Sequence, residues 1–552
     1  MMKPLVAAIA LALPLLASAA DAPKFDPQRL SDQVKVLSSD AFEGRGPATA
    51  GEEKTVAFLI ERMKANGLQP GGDMKDGART WTQAVPLLRS SIEGTPTLSV
   101  DVGGKRQALT QGSEIAVRAA LDGSKRVMIK DAPLVFAGYG VKAPERDWDD
   151  YAGIDMRGKI AVVLINDPDF EAGQGDFGGK AMTYYGRWSY KFEEAARQGA
   201  AGVLIVHETE PASYGWATVK NSNTNTMFDV VRDKPSEVHP SLTGWITRDF
   251  AEDLFERNGL DFAALKKQAQ ARGFKPVVLK DAKFSADYAM DSAVITSRNV
   301  VGRVEGASRP DETILYSAHW DHLGVGEPDA KGDRIYNGAI DNATGTVALL
   351  ELGRAFAQGP RPQRSIVFLA VTAEEKGLLG SEYYASKPLY PLARTVAVIN
   401  TDAMFGRPAR DFTTSGSARS ELLDALVETG KEFGRRYTPD AHPEAGYFFR
   451  SDHFPFAKRG VPALSFGSGS DLVAGGVEAG EAAGREYTKD RYHQPADEWS
   501  AIASFDGMVQ DLPLLYALGS KLANSSGWPN WAADSEFRAL RDASAAERAA
   551  KP

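Results

Sequence analysis

Six side chains that can bind a metal ion or move a proton cluster around the ends of apolar runs: His319, Asp341, Glu374, Glu375, Asp402 and His493. Thr313–Ala318 (TILYSA), Ser365–Val371 (SIVFLAV) and Thr395–Thr401 (TVAVINT) each read as a buried strand with a candidate ligand just beyond it. In open α/β sheets the functional crevice lies past the carboxyl ends of the strands. These donors are therefore expected along one sheet edge. Carboxylate oxygens and imidazole nitrogens suit zinc-type divalent ions, and the set is large enough for two.

Each residue also has an ordinary role to set against this one. His319, in Ser317-Ala318-His319-Trp320-Asp321-His322, would on its own be a histidine satisfied at a strand end. Asp321 is the candidate for the carboxylate that fixes its tautomer through the other ring nitrogen. Asp341, within GAIDNATG, precedes an apolar helix, where an Asp usually caps. Its small neighbours let the backbone approach a metal, and its two oxygens can bridge two ions. Glu374 and Glu375 follow a buried strand, so one can ligate while the other acts as a base on an attacking water. Asp402 ends a third strand, and His493 lies in a loop beside Tyr492. Two divalent ions against three ligating carboxylates leave one positive charge, which a hydroxide would cancel. Such a centre is built for hydrolysis of an activated carbonyl.

The elements that must position these groups can be read from periodicity. Pro27–Asn66 carries helical spacing in two pieces, and Trp81–Ala132 alternates as β. Strands at Pro133–Ala137, Lys159–Ile165 and Gly202–Val206, with a helix near Lys191–Gln198, form a β-rich insert. Asp249–Lys267 reads as helix, and Phe274–Val300 returns the chain to the main sheet. From there strands and helices alternate to about residue 524, the pattern of a mixed, mostly parallel α/β sheet flanked by helices. The expected division is a secretory segment at 1–20, an N-terminal helical part at 21–90, the insert at 91–270, the metal-bearing domain at 271–525 and a tail at 526–552. Trp528 and Trp531 are the tail's docking anchors.

Composition narrows the class. The 552 residues, 43% hydrophobic and 25% charged, describe a folded multidomain protein. Lys3, an apolar run from Pro4 to Leu16 and the small Ala17-Ser18-Ala19 site form an export signal too short to span a membrane. A periplasmic or secreted location is expected. The chain has no cysteine, which excludes disulfides, thiolate metal sites and a cysteine nucleophile. A net charge of −9 and the lack of a basic run argue against nucleic-acid binding. There is no G-x-S-x-G elbow and no H-E-x-x-H helix.

The ordered motifs HWDH, GAIDNATG, TAEEKGLLGSEYYA, INTDAMF, RSDHFPFAKRGVPALSF and YHQPADE, over residues 317–498, resemble the M28 family of co-catalytic zinc peptidases. The stretch LSSDAFEGR is similar to the N-terminal region of those enzymes. FAGYGV, DYAGIDMRGKIAVV and KFEEAARQGAAGVLIVHE in the insert resemble a protease-associated (PA) domain. The resemblance implies two zinc ions, one on His319 and Asp402, the other on Glu375 and His493, bridged by Asp341. It further implies a cis bond from Asp341 to Asn342, Glu374 as general base and Tyr492 steadying the oxyanion. Some relatives bind one zinc and cyclise N-terminal glutamine instead.

The activity expected is an aminopeptidase acting on peptides with a free N-terminus, as a monomer. A carboxypeptidase or dipeptidase is the alternative; it would need a cationic clamp, for which Arg450, Lys458 and Arg459 are candidates. A third possibility is a PA-type binding module on an inactive scaffold. Phe405, Tyr447, Phe448 and Phe449 are candidate pocket walls, and Gly215–Asn225 is expected over the cleft.

Overall fold

Apolar runs without polar alternation lie where both faces of a sheet are covered, as buried parallel strands require. The computed structural model describes residues 23–416 and 418–549. The expected export segment, residues 1–20, lies outside them. In chain order the elements used below are α1 (Pro27–Leu37), α2 (Ala50–Ala65), β1 (Thr82–Val102), β2 (Arg126–Phe136), β3 (Ile160–Leu164), α3 (Trp188–Arg197), β4 (Gly202–His207), β5 (Leu242–Thr247), α4 (Arg248–Arg257) and β6 (Val277–Val304). The main block follows with β7 (Arg309–His319), α5 (Gly345–Gln358), β8 (Arg364–Val371), β9 (Thr395–Thr401), β10 (Ala463–Ser468), α6 (Gly476–Asp490) and α7 (Asp506–Asn524).

Among the described residues the sheet is continuous and mixed, with β10, β9, β7, β8, β6, β2, β3, β4 and β5 as successive neighbours. The first four are mutually parallel, and so are the last four. Between them runs β6, antiparallel to both β8 and β2. It also pairs with nearly all of β1, so a long ribbon joins the main block to the insert. Residue 91, expected to open the insert, lies inside that ribbon. The insert itself is a parallel βα block with α3, α4 and a helix at Phe262–Ala269, and it has its own apolar core around Phe136, Val162, Leu204 and Phe255.

In the main block every residue of β8 and β9 is buried. On one face α1, α2, α5 and α7 cover Ile314, Tyr316, Phe368 and Ile399. On the other, Tyr384, Phe456 and Trp531 cover Leu315, Leu369 and Val398. Trp531 anchors the tail through its indole N–H, which donates to the Gly460 carbonyl at 3.0 Å. At about 1.5–3 kcal/mol per buried large apolar side chain, these layers fix the strand ends that the chemistry needs.

Candidate metal centre

Three strands deliver the candidate ligands to one edge. His319 is the last residue of β7, Asp402 directly follows β9, and Glu374 and Glu375 come three and four residues after the end of β8. Turning a side chain from sheet to crevice uses left-handed backbone at non-glycine positions: Ala373 (φ 52°), Ala403 (φ 54°) and His493 itself (φ 58°). Each such residue costs roughly 1–2 kcal/mol, and strain of this kind collects at functional sites.

Asp341 sits in a kinked turn, Ala339–Thr344, ahead of α5. The Asp341–Asn342 peptide bond is cis. Asn342 ties this turn to the end of β9: its amide donates to the Thr401 carbonyl (3.1 Å), and its Oδ1 accepts from Gly345 N (3.0 Å) and Ala403 N (3.1 Å). The buried Asp497 carboxylate accepts from Ile340 N and Asp341 N at 3.1 and 3.0 Å.

The two oxygens of Asp341 face different imidazoles. Oδ1 is 3.3 Å from His319 Nε2, and Oδ2 is 3.2 Å from His493 Nε2. On the first side Asp402 Oδ1 is 3.2 Å from His319 Nε2; on the second, Glu375 Oε2 is 3.1 Å from His493 Nε2. Two ligands at about 2.0–2.1 Å around a tetrahedral zinc stand roughly 3.3 Å apart. The spacing and the N/O donor set fit zinc-like ions, which His319, Asp402 and Asp341 would hold on one side and Glu375, His493 and Asp341 on the other. Glu374 groups with His319 and Asp402, on the first side. Burial drives its carboxyl well above the ordinary range; His319 opposes this, while Glu375 and Asp402 reinforce it. Burial would also raise Asp341, but His319 and His493 outweigh it and hold that group well below its usual value.

Asp321 requires a correction. The main-chain carbonyl of Asp321, not its carboxylate, meets His319 Nδ1, at 3.1 Å. Its Oδ1 is 3.8 Å from that nitrogen and instead accepts from Glu374 N at 3.1 Å. Two residues along the strand-end turn, the carbonyl reaches the ring first, which frees the side chain to hold the Glu374 backbone. Tyr492 lies stacked on the His493 ring, with centroids 3.9 Å apart, and lines the cleft. Of the aromatic candidates, Phe449 lines that cleft, whereas Phe448 packs into the core against Trp531 and Phe537. Phe405 meets Tyr487 edge-on, and Tyr447 is exposed beneath Arg450.

Several contributing residues gave little sequence signal. Ser451 donates to Asp402 Oδ2 at 2.6 Å. The buried Arg45 guanidinium donates to the carbonyls of Leu37, Trp320, Asn337 and Gly338, pinning the loops behind His319 and Asp341. His322 was visible as the second histidine of HWDH, and its ring joins Asp341 and Glu375.

In front of the ligands lies a cleft of about 330 Å³, walled by Leu378, Phe449, Phe454 and Tyr492 and by Arg187 and Arg450. A neighbouring cavity of about 740 Å³ shares Arg187, Glu375 and Arg450 with it and is also lined by the helix Trp216–Asn223. Among the described residues neither arginine has a carboxylate within ion-pair distance, although each has a buried Nε without a partner. Burial, and then Arg450, lower the Arg187 guanidinium to about 10. The other two clamp candidates are neutralised: Lys458 pairs with Glu193 at 2.5 Å and Arg459 with Glu382 at 2.8 Å.

Residues 299–506 match the model of peptidase family M28. The chain is 39% identical over 196 residues to aminopeptidase NAALADL1 of Mus musculus, covering 32% of this chain and 23% of that protein. It is 30% identical over 181 residues to a glutamate carboxypeptidase 2 homolog of Caenorhabditis briggsae, covering 32% and 22%. The chain thus spans under a quarter of the length of either relative. A solved aminopeptidase from Aneurinibacillus sp. strain AM-1 is 18% identical, with a TM-score of 0.47 over 91% of this chain and 95% of that one. Every candidate ligand lies inside the segment, residues 299–506, that matches the peptidase family M28 model.

Proposed function

We propose that the protein is an exported zinc-dependent aminopeptidase that removes N-terminal residues from short peptides. The observation that carries this reading is the pair of Asp341 oxygens, each facing its own imidazole at 3.2–3.3 Å. Two zinc ions, one held by His319, Asp402 and Asp341 and the other by Glu375, His493 and Asp341, would supply Lewis acidity and lower the pKa of water. Glu374, half-buried beside His319 and oriented through Asp321, takes the proton of the attacking water and passes it to the leaving amine. Tyr492 lines the approach and steadies the oxyanion. A free N-terminal amine finds negative charge on Glu375 and Asp402. Export rests on residues 1–20; no described helix is long and apolar enough to cross a membrane.

Arg187 and Arg450 favour a second reading. Two guanidinium groups without carboxylate partners, on the cavity shared with Glu375, are suited to a substrate carboxylate. A dipeptidase or carboxypeptidase would use them as its clamp. Zinc analysis of purified protein should give two equivalents, and chelation should abolish peptide cleavage until zinc is returned. Activity indifferent to chelation would end both readings. Carboxy-blocked dipeptides should be cleaved and amino-blocked ones spared. The reverse result would replace the aminopeptidase with the arginine-clamp enzyme.

A further inference from the structure

The imidazole of His322 is completely buried, and neither ring nitrogen has an aligned hydrogen-bond partner among the described residues. Glu375 Oε1 is likewise buried and without one. These two orphaned groups lie 2.7 Å apart, Nδ1 to Oε1. Buried polar atoms are nearly always paired, so each is the natural partner of the other. The contact lies off the N–H axis, and a small turn of either side chain aligns it.

The separation also says what His322 is not. Donor pairs that would share an ion on that reading stand 3.1–3.3 Å apart. At 2.7 Å, His322 Nδ1 and Glu375 Oε1 are too close to be two ligands of one zinc and are at the distance of a charge-assisted hydrogen bond. The other carboxylate oxygen, Oε2, is the one beside His493. The ring is held firmly in place. Its backbone N–H donates to the Arg45 carbonyl at 3.3 Å, and it meets the His493 ring edge-on at 5.7 Å. Gly338, at φ 54°, passes so close that an added Cβ would lie 2.5 Å from His322 Cγ. The same Cβ would lie 2.3 Å from the Asp341 carbonyl oxygen, so the first glycine of GAIDNATG is required by both the turn and this imidazole.

We infer that His322 is a positioning residue for the second zinc site: it holds Glu375 Oε1 so that Oε2 is the oxygen offered beside His493. The inference rests on the two-ion reading above. It gives the HWDH segment three roles: His319 is a ligand, Asp321 holds both the His319 ring and the Glu374 backbone, and His322 holds Glu375.

The test is zinc binding, which does not depend on the substrate. His322→Ala, His322→Asn and the parent are titrated with zinc against a chelator of fixed affinity, and absorption spectra are recorded after loading with cobalt(II). The alanine variant should bind one of two equivalents 10–100-fold more weakly and keep the other unchanged. Asparagine, whose amide N–H can replace Nδ1–H, should recover most of that loss with a parent-like cobalt spectrum. Unchanged affinity for both equivalents in the alanine variant overturns the inference. So does an asparagine variant whose cobalt spectrum shows a lost nitrogen ligand, because His322 would then be a ligand itself. If the alanine variant does not fold, the asparagine variant decides alone, by retaining or losing the second equivalent. A parent that binds a single equivalent would overturn the two-ion reading instead.

Discussion

The sheet contains two parallel blocks, and both end their strands in polar residues. In the insert, Asp167 stands three residues past β3 and Glu208 directly follows β4, much as Glu374 and Asp402 stand past β8 and β9. The insert's groups are answered on the spot. Asp167 accepts from the Thr183 backbone and hydroxyl at 3.1 and 2.8 Å; Glu208 takes Lys266 on both oxygens at 2.8 Å; His207 meets the Tyr214 carbonyl at 2.9 Å. In the main block Asp341, Glu374, Glu375 and Asp402 gather with no lysine or arginine in ion-pair distance among the described residues; histidines face Asp341, Glu375 and Asp402, and Ser451 donates to Asp402. The residue types at a strand end thus do not mark the site. A cluster of several carboxylates left without a fixed cation does, because gathering them away from water needs an external positive charge.

The largest expected effect follows from removing one of those carboxylates' charge while keeping its shape. Glu374→Gln should lower kcat by about 10²–10⁴-fold with zinc content unchanged, measured by peptide hydrolysis and metal analysis on one sample. Full activity in that variant would place the base elsewhere and remove the functional half of the comparison.

Much of the main block was legible because its strands are unbroken apolar runs with ligands at their ends. Thr395–Thr401 is the strand the apolar run delimits to the residue, all of it buried, with its one amide, Asn400, taken up by Ser317, Ser451 and Ser465. The ribbon was not legible. β1 and β6 alternate over 21 and 28 residues, and local periodicity cannot tell one long twisted strand from several short ones joined by turns. Within the site the ligands stood out by type, whereas their supports did not. Arg45 and Asp497 act through backbone groups far along the chain, and nothing in their neighbours' identity announces that. Asp321 shows the same limit: its spacing from His319 was visible, but which of its atoms would arrive first depends on the turn.

A second expected effect concerns the seam between the blocks. Glu382, in the main block, takes Arg459 at 2.8 Å and Arg232 of the insert at 3.2 Å. Burial would raise its carboxyl, but Arg459, then Lys458 and Arg232, hold it well below the ordinary range. A depressed carboxylate stabilises the fold above its unfolded pKa of about 4.3, and that contribution is lost as pH falls below it. Glu382→Gln should therefore cost about 3 kcal/mol at neutral pH, as breaking a buried pair does. Thermal unfolding should show this gap closing below about pH 4. A gap that is constant from pH 7 to pH 3 would mean the seam is held by packing rather than charge.

The smallest effect is the counterpart of the first. Glu208→Gln makes the same chemical change at the corresponding strand end of the insert. Lys266, which loses Glu208, keeps Glu171 at 2.6 Å, so no buried cation is stranded, and the cost should be about 1 kcal/mol, near that of a partly exposed pair. Turnover and zinc content should stay within twofold of the parent, because this carboxylate already has its cation within the protein and so has no call on an ion. If Glu208→Gln instead lowered turnover as far as Glu374→Gln, compensation would not be what separates the two blocks, and the insert's strand ends would have to be counted as part of the active site.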